Sequence, residues 1–147
     1  MDHGGYETDG LAFRLDDQIG HVLRHAYQRA SAHFGRRLLP YRLNPQQFAT
    51  LARLRERGPM GQNCLGEAVG MARANIHGMV ERLGARGLVC VSADPDDARR
   101  RIVDLTPAGR DLLAELIPLD LDSTEAALAG LDAGERQTLF ALLRRIR

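Results

Sequence analysis

The 147-residue chain is 44% hydrophobic and 27% charged, the make-up of an ordinary globular protein, and its length suits a single domain or one compact domain with helical extensions. A formal charge of +1 excludes overall basicity as a means of holding nucleic acid, so any such contact must come from local patches. No run of about 18 apolar residues occurs, which excludes a membrane-spanning helix, and Cys64 and Cys90 lie outside any CxxC or His/Cys spacing that would mark a zinc centre.

All 20 basic residues are Arg, whose planar fork suits bidentate phosphate and guanine contacts, although genome base composition would produce the same bias. Aromatics make up 5%, so Leu, Ala, Val and Ile must fill the core. Met1 to Gly10 is polar and glycine-rich with no apolar signal segment. The expectation is a disordered N-terminus over residues 1–10, a cytoplasmic protein and two free thiols.

From Leu11 onward, Leu15, Ile19, Val22, Ala26, Ala30 and Phe34 recur at steps of three and four, predicting one apolar stripe on a helix that runs to about Leu39 and stops at Pro40. Asn44-Pro45-Gln46-Gln47 then sets a capping box with Pro at the first helical position. The second helix carries Phe48, Leu51 and Leu54 inward and ends at Gly58-Pro59.

Gln62 to Val69 predicts a short helix that needs a partner, with Leu65, Ala68 and Val69 on one side and Gly70 closing it. The partner spans about Ala72 to Arg86, with Ile76, Met79, Val80 and Leu83 inward and Gly87 at its C-terminal cap. Two helices joined by a tight Gly70-Met71 turn make a helix-turn-helix.

Leu88 to Val91 and Arg101 to Leu105 read as strands joined by the polar turn Asp94 to Arg99, so a wing follows the helix-turn-helix. Thr106-Pro107 starts a long helix through Leu112, Leu113, Leu116, Leu119, Leu121 and Leu128, closed by Gly130, which Pro118 should bend or interrupt. Asp132-Ala133-Gly134-Glu135 caps a last helix with Leu139, Leu142, Leu143 and Ile146 as its stripe. The fold class expected is therefore mainly α with a small β-wing.

The run LNPQQFATLARLRERGPMGQNCLGEAVGMARANIHGMVERLGARGLV, followed by DPDDARRRIVDLTPAGRDLL, resembles the MarR family (multiple antibiotic resistance regulators) in order, spacing and flanking helices, over roughly the central half of the chain. Asp97-x-Arg99, then Leu105-Thr106-Pro107 and Gly109, is similar to that family's wing signature. The resemblance implies a two-fold homodimer on a palindromic operator in double-stranded DNA, with a recognition helix in each major groove and a wing in each minor groove. It also implies one domain over residues 11–147, in which 11–39 and 107–147 are dimerisation helices and 44–106 is the winged helix-turn-helix. Two positions depart from the commoner pattern: Gly84, where a Glu often stands, and Gly78 inside the recognition helix. Gly78 is either tolerated at a cost of about 1 kcal/mol against Ala or present to allow close approach to the DNA backbone.

The exposed side of the recognition helix offers Arg73, Asn75, His77 and, one turn on, Arg82, the donors that base edges and phosphates require. In the wing, Arg99 and Arg100 are the candidate DNA contacts and Arg101 falls within the second strand. The resemblance implies that Asp97 braces Arg99 by an ion pair while a tip arginine reaches a minor groove. Gln62 and Asn63 open the first helix of the motif, where free N–H groups either hold a phosphate or are simply capped.

His21, Arg24 and His25 lie near the apolar stripe of the first helix, and His21 and His25 share a face. They are either structural or ligands for the carboxylate of an effector, which in this family often sits between the dimerisation helices and the DNA-binding lobe and is often a small aromatic or phenolic acid. Neither a metal nor a cofactor is expected. Cys64 reads as a buried small hydrophobe, with oxidant sensing the alternative that a family subgroup suggests; Cys90 reads as core.

The function expected is a DNA-binding regulator, a repressor released when a small ligand shifts the dimer away from a spacing of about 34 Å between recognition helices. A winged-helix module for protein–protein contact is the rival. With no nucleophile elbow, phosphate loop or metal-ligand set, an enzyme is not expected.

Overall fold

A computed structural model describes residues 12–147; the expected disorder of residues 1–10, and Leu11, lie outside them. A 3-10 turn at Leu15–Asp17 precedes α1 (Ile19–Leu38), and a second at Leu39–Tyr41 leads to α2 (Pro45–Arg57). The chain continues through β1 (Met60–Gly61), α3 (Gln62–Ala68), α4 (Arg73–Ala85), β2 (Val89–Ala93), β3 (Arg101–Leu105), α5 (Pro107–Ala127) and α6 (Ala133–Leu143).

Local chemistry sets most of these boundaries. The Asn44 side chain accepts from the Gln47 amide at 2.8 Å while Gln47 accepts from the Asn44 amide at 3.0 Å, so two free N–H groups at the start of α2 are satisfied reciprocally. Asp132 and Glu135 do the same for α6, and the Thr106 hydroxyl caps α5 by accepting from Gly109. Gly70 and Gly87 both adopt positive φ. Each lets the next residue's amide reach back to the preceding helix, Met71 to Gly66 at 2.8 Å and Leu88 to Leu83 at 3.0 Å, which closes α3 and α4 sharply.

The core sits where α2, α3, α4, α5 and the sheet meet. Leu38, Leu51, Leu54, Leu65, Ile76, Leu83, Val103, Leu113 and Leu116 are fully buried, and Phe34 of α1 meets Phe48 of α2 edge-on at 4.8 Å. All four residues expected inward on α4 are buried. At Gly66 an added Cβ would lie 3.1 Å from the Met71 carbonyl and 3.3 Å from Ile76, so α3 and α4 approach closely because that position lacks a side chain. The antiparallel sheet has the order β1-β3-β2, with Val103 between Met60 and Val91.

Four sequence expectations need correction. The first helix begins at Ile19, not Leu11, because Gln18 is extended and the short acids Asp16 and Asp17 lie in a 3-10 turn, consistent with the tendency of Asp to favour termini over helix interiors. Of the two outcomes expected at Pro118, a bend or an interruption, the interruption does not occur: α5 runs on through it, with Leu113 and Leu116 buried before it and Ser123 after it. That helix also ends at Ala127, ahead of Gly130. Finally, Cys64 and Cys90 are exposed free thiols, because Cys64 lies on the outer side of α3 and β2 leaves the core after Val89.

Candidate nucleic-acid interface

Burial of one face of α4 fixes what the other face presents. Arg73, Asn75, His77 and Arg82 are all exposed, and the helix separates two surface hollows. The larger, an open groove of about 820 Å³, runs between the start of α3, one flank of α4 and the wing, and is lined by Gln62, Asn63, Cys64, His77, Arg99 and Arg100 among others. The smaller, of about 320 Å³, lies on the opposite flank and includes Gln46, Asn75, Gly78 and Arg82. Thus the two hollows gather every DNA-contact candidate except Arg73, which lies at the first position of α4.

His77 is held at both ranks of its ring. Its Nε2 lies 3.2 Å from Glu81 Oε1 and its Nδ1 lies 3.2 Å from Gln62 Nε2. A carboxylate only accepts, so in the neutral ring the proton belongs on Nε2, and Nδ1 accepts from the Gln62 amide. Gln62 therefore ties the first turn of α3 to the middle of α4, and Glu81 joins the candidate site through His77, an acid that a search for donors passes over.

In the wing, the Asp97 carboxylate serves three groups. It accepts from the Arg99 amide at 3.1 Å and lies 3.3 Å from Arg99 Nε and 3.7 Å from Arg100 Nε. The Asp97 side chain is 34% exposed against 93% for Arg99 and 73% for Arg100, so the acid lies back in the turn while the cations project. A charge count of the segment hides this separation.

His21, Arg24 and His25 line neither hollow. The His21 and His25 rings are in contact at 4.4 Å between centroids, and Asp16 Oδ1 lies 3.6 Å from His21 Nε2, an acidic neighbour that helical spacing does not reveal. Among the described residues no group of three His, Cys, Asp or Glu is placed to hold a metal ion, and no helix is long and apolar enough to cross a membrane.

Residues 43–100 match the model of the MarR family. The HTH-type transcriptional repressor NicR of Pseudomonas putida is 42% identical over 138 residues, covering 94% of this chain and 87% of that protein. The chain belongs to the MarR family. As a member it is a DNA-binding transcription regulator, and solved structures agree with it along most of its length. A probable transcriptional regulator from Pseudomonas aeruginosa is 49% identical with a TM-score of 0.81, covering 90% of this chain and 98% of its own. BpsR of Bordetella bronchiseptica, whose DNA binding is regulated by 6-hydroxynicotinic acid, is 38% identical with a TM-score of 0.84, covering 90% and 95%. In this MarR-type chain α3 and α4 form the helix-turn-helix, and β2 and β3 form the wing.

Proposed function

We propose that the chain is a cytoplasmic repressor that holds a palindromic operator as a homodimer and releases it when a small hydroxylated aromatic acid binds. The observation that carries the DNA part is the open groove of about 820 Å³ with α4 on one side and Arg99 and Arg100 on the other. Helix and wing then address adjacent grooves of one duplex. Arg73, Asn75, His77 and Arg82 supply contacts from α4, and Gln62 and Asn63 supply them from the start of α3. Asp97 positions the wing cations.

The two-subunit part rests on where apolar surface is left uncovered. Ile19, Val22 and Tyr27 of α1 and Phe140, Leu142 and Leu143 of α6 are exposed, and α6 buries no residue at all. Residues 11–39 and 107–147 are in this reading the dimerisation helices, and 44–106 the DNA-binding unit. Exposed apolar side chains concentrated on terminal helices support an association site there.

The effector class follows from likeness to BpsR, whose DNA binding responds to 6-hydroxynicotinic acid. Arg24 with His21 and His25 offers the cationic and donor groups a carboxylate needs. The test is fluorescence anisotropy on duplexes selected in vitro by the purified chain, with and without 6-hydroxynicotinic acid. Selected binding that the acid weakens supports both parts; binding indifferent to it removes the effector class and leaves the regulator. The exposure of Cys64 in the same groove supports a second reading, in which oxidation of that thiol switches DNA binding.

A further inference from the structure

With 3.6 residues per turn, Ala74, Gly78, Glu81 and Ala85 lie opposite the buried set Ile76, Met79, Val80 and Leu83. They form the crest of α4, and Arg73, Asn75, His77 and Arg82 emerge on its flanks. The crest carries only two long side chains' worth of chemistry. Glu81 is drawn to His77. The guanidinium of Arg82 reaches back one turn over Gly78, where a Cβ would lie 3.2 Å from Nη1 and 3.9 Å from Cζ. Long helical side chains lean in this direction, and the absent Cβ lets this one lie across the helix rather than stand off to the side. Among the described residues Arg82 forms no ion pair, unlike Arg99 and Arg100, which share Asp97.

We infer that Arg82, seated over Gly78, is the residue of α4 that reads a guanine. The inference rests on the proposed binding of α4 in a major groove. That groove is about 12 Å wide and a helix with its side chains about 10–12 Å across, so the flanks of α4 face the sugar–phosphate walls and the crest faces the base edges. A planar fork on the crest meets the O6 and N7 acceptors of guanine; the same fork on a flank meets phosphate. Gly78 thereby has a specific role: it is the seat that moves the Arg82 fork from flank to crest.

The test compares the wild type with Arg82→Lys and Gly78→Ala, by in vitro selection of duplexes and then affinities on duplexes changed at single base pairs. The wild type is expected to prefer guanine at one position per half-site by about tenfold, the scale of a good bidentate pair. Arg82→Lys keeps the charge and loses the fork, so that preference should fall to about twofold or less while the salt dependence of binding stays the same. Gly78→Ala should weaken preference at the same pair while raising or keeping the unfolding midpoint, because Ala is the better helix former. Unchanged preference at every pair in Arg82→Lys, or an equal loss on all sequences, overturns the inference by assigning Arg82 to phosphate. Full preference in Gly78→Ala overturns the role of the seat. A wild type that selects no duplex refutes the underlying proposal instead, a result distinct from either.

Discussion

Nη2 of Arg86 donates to the main-chain carbonyl of Tyr41 at 2.7 Å, and Nη1 of the same guanidinium donates to the carbonyl of Arg42 at the same distance. One side chain thus fastens the C-terminal end of α4 to the turn that follows α1. Arg42 sits there with a positive φ, a conformation non-glycine residues seldom adopt. A displacement of α1 carried into this turn would therefore reach the end of α4.

Replacing Arg86 by Ala should therefore cost about 1 kcal/mol of stability, the net worth of hydrogen bonds to a charged donor at an exposed site. It should also reduce the effect of any α1-side ligand on DNA affinity. Denaturant titration checks the first and anisotropy with and without ligand the second. A variant that keeps the full ligand response shows that coupling runs elsewhere.

Asp97→Ala and Arg99→Ala should differ in kind. Loss of Arg99 removes a cation and should lower the salt slope of DNA binding by about 1. Loss of Asp97 keeps every cation but releases the turn, so affinity should fall with the slope unchanged. The plot of log affinity against log salt separates them; matching slopes in the two variants would contradict the bracing role.

Gly109→Ala should be severely destabilising. A Cβ there runs into the Leu88 carbonyl, which already accepts from the Thr106 amide at 3.1 Å, so neither backbone has room to retreat. Overpacking costs about 1–3 kcal/mol even where side chains give way, and here backbone meets backbone. Soluble yield and melting temperature are the readouts, with Gly20→Ala, where nothing lies within 4 Å, as the control.

Burial pushes the Asp120 carboxyl above its usual range by desolvation. A group whose pKa is raised on folding stabilises the native state fully below the unfolded value of 3.8, and that stability is lost as pH rises through the folded value. Asp120→Asn should accordingly melt higher than wild type near pH 7 and equal to it below about pH 4. A gain that persists undiminished in acid would point to packing rather than charge.

Alkylation of Cys64 with a bulky maleimide, in a Cys90→Ser background, should abolish operator binding without lowering the melting temperature, because the thiol lies in the groove between α4 and the wing. Peroxide tests the redox reading separately: loss of binding that Cys64→Ser prevents supports it, and equal loss in that variant refutes it.

What the sequence made legible is chiefly what short-range chemistry decides. Asn44 with Gln47, Asp132 with Glu135 and Thr106 with Gly109 are caps within four residues of one another, and the inward set on α4 follows from helical period alone. The limits of β3 were equally plain from its β-branched run. Properties set by distant neighbours were not. The exposure of Cys64 and Cys90 depends on which way α3 faces and how far the wing projects, and the continuity of α5 through Pro118 depends on packing against α1 and α2. Two-residue β1 has no pattern to detect, and the Arg86 link spans more than forty positions. At the candidate interface, residue types point to Arg73, Asn75 and the wing arginines, but the engagement of His77 by Gln62 and Glu81 depends on how α3 packs against α4.

The last helix holds to its own subunit by little more than Arg136, which reaches Glu125 at 2.7 Å and the carbonyls of Leu128 and Leu131. Eleven residues are too few for a helix to persist unaided in water. If α6 packs on a second subunit as proposed, dilution would strip away not only the neighbour but part of the chain's own secondary structure, so circular dichroism should lose helix content at low concentration before any heating.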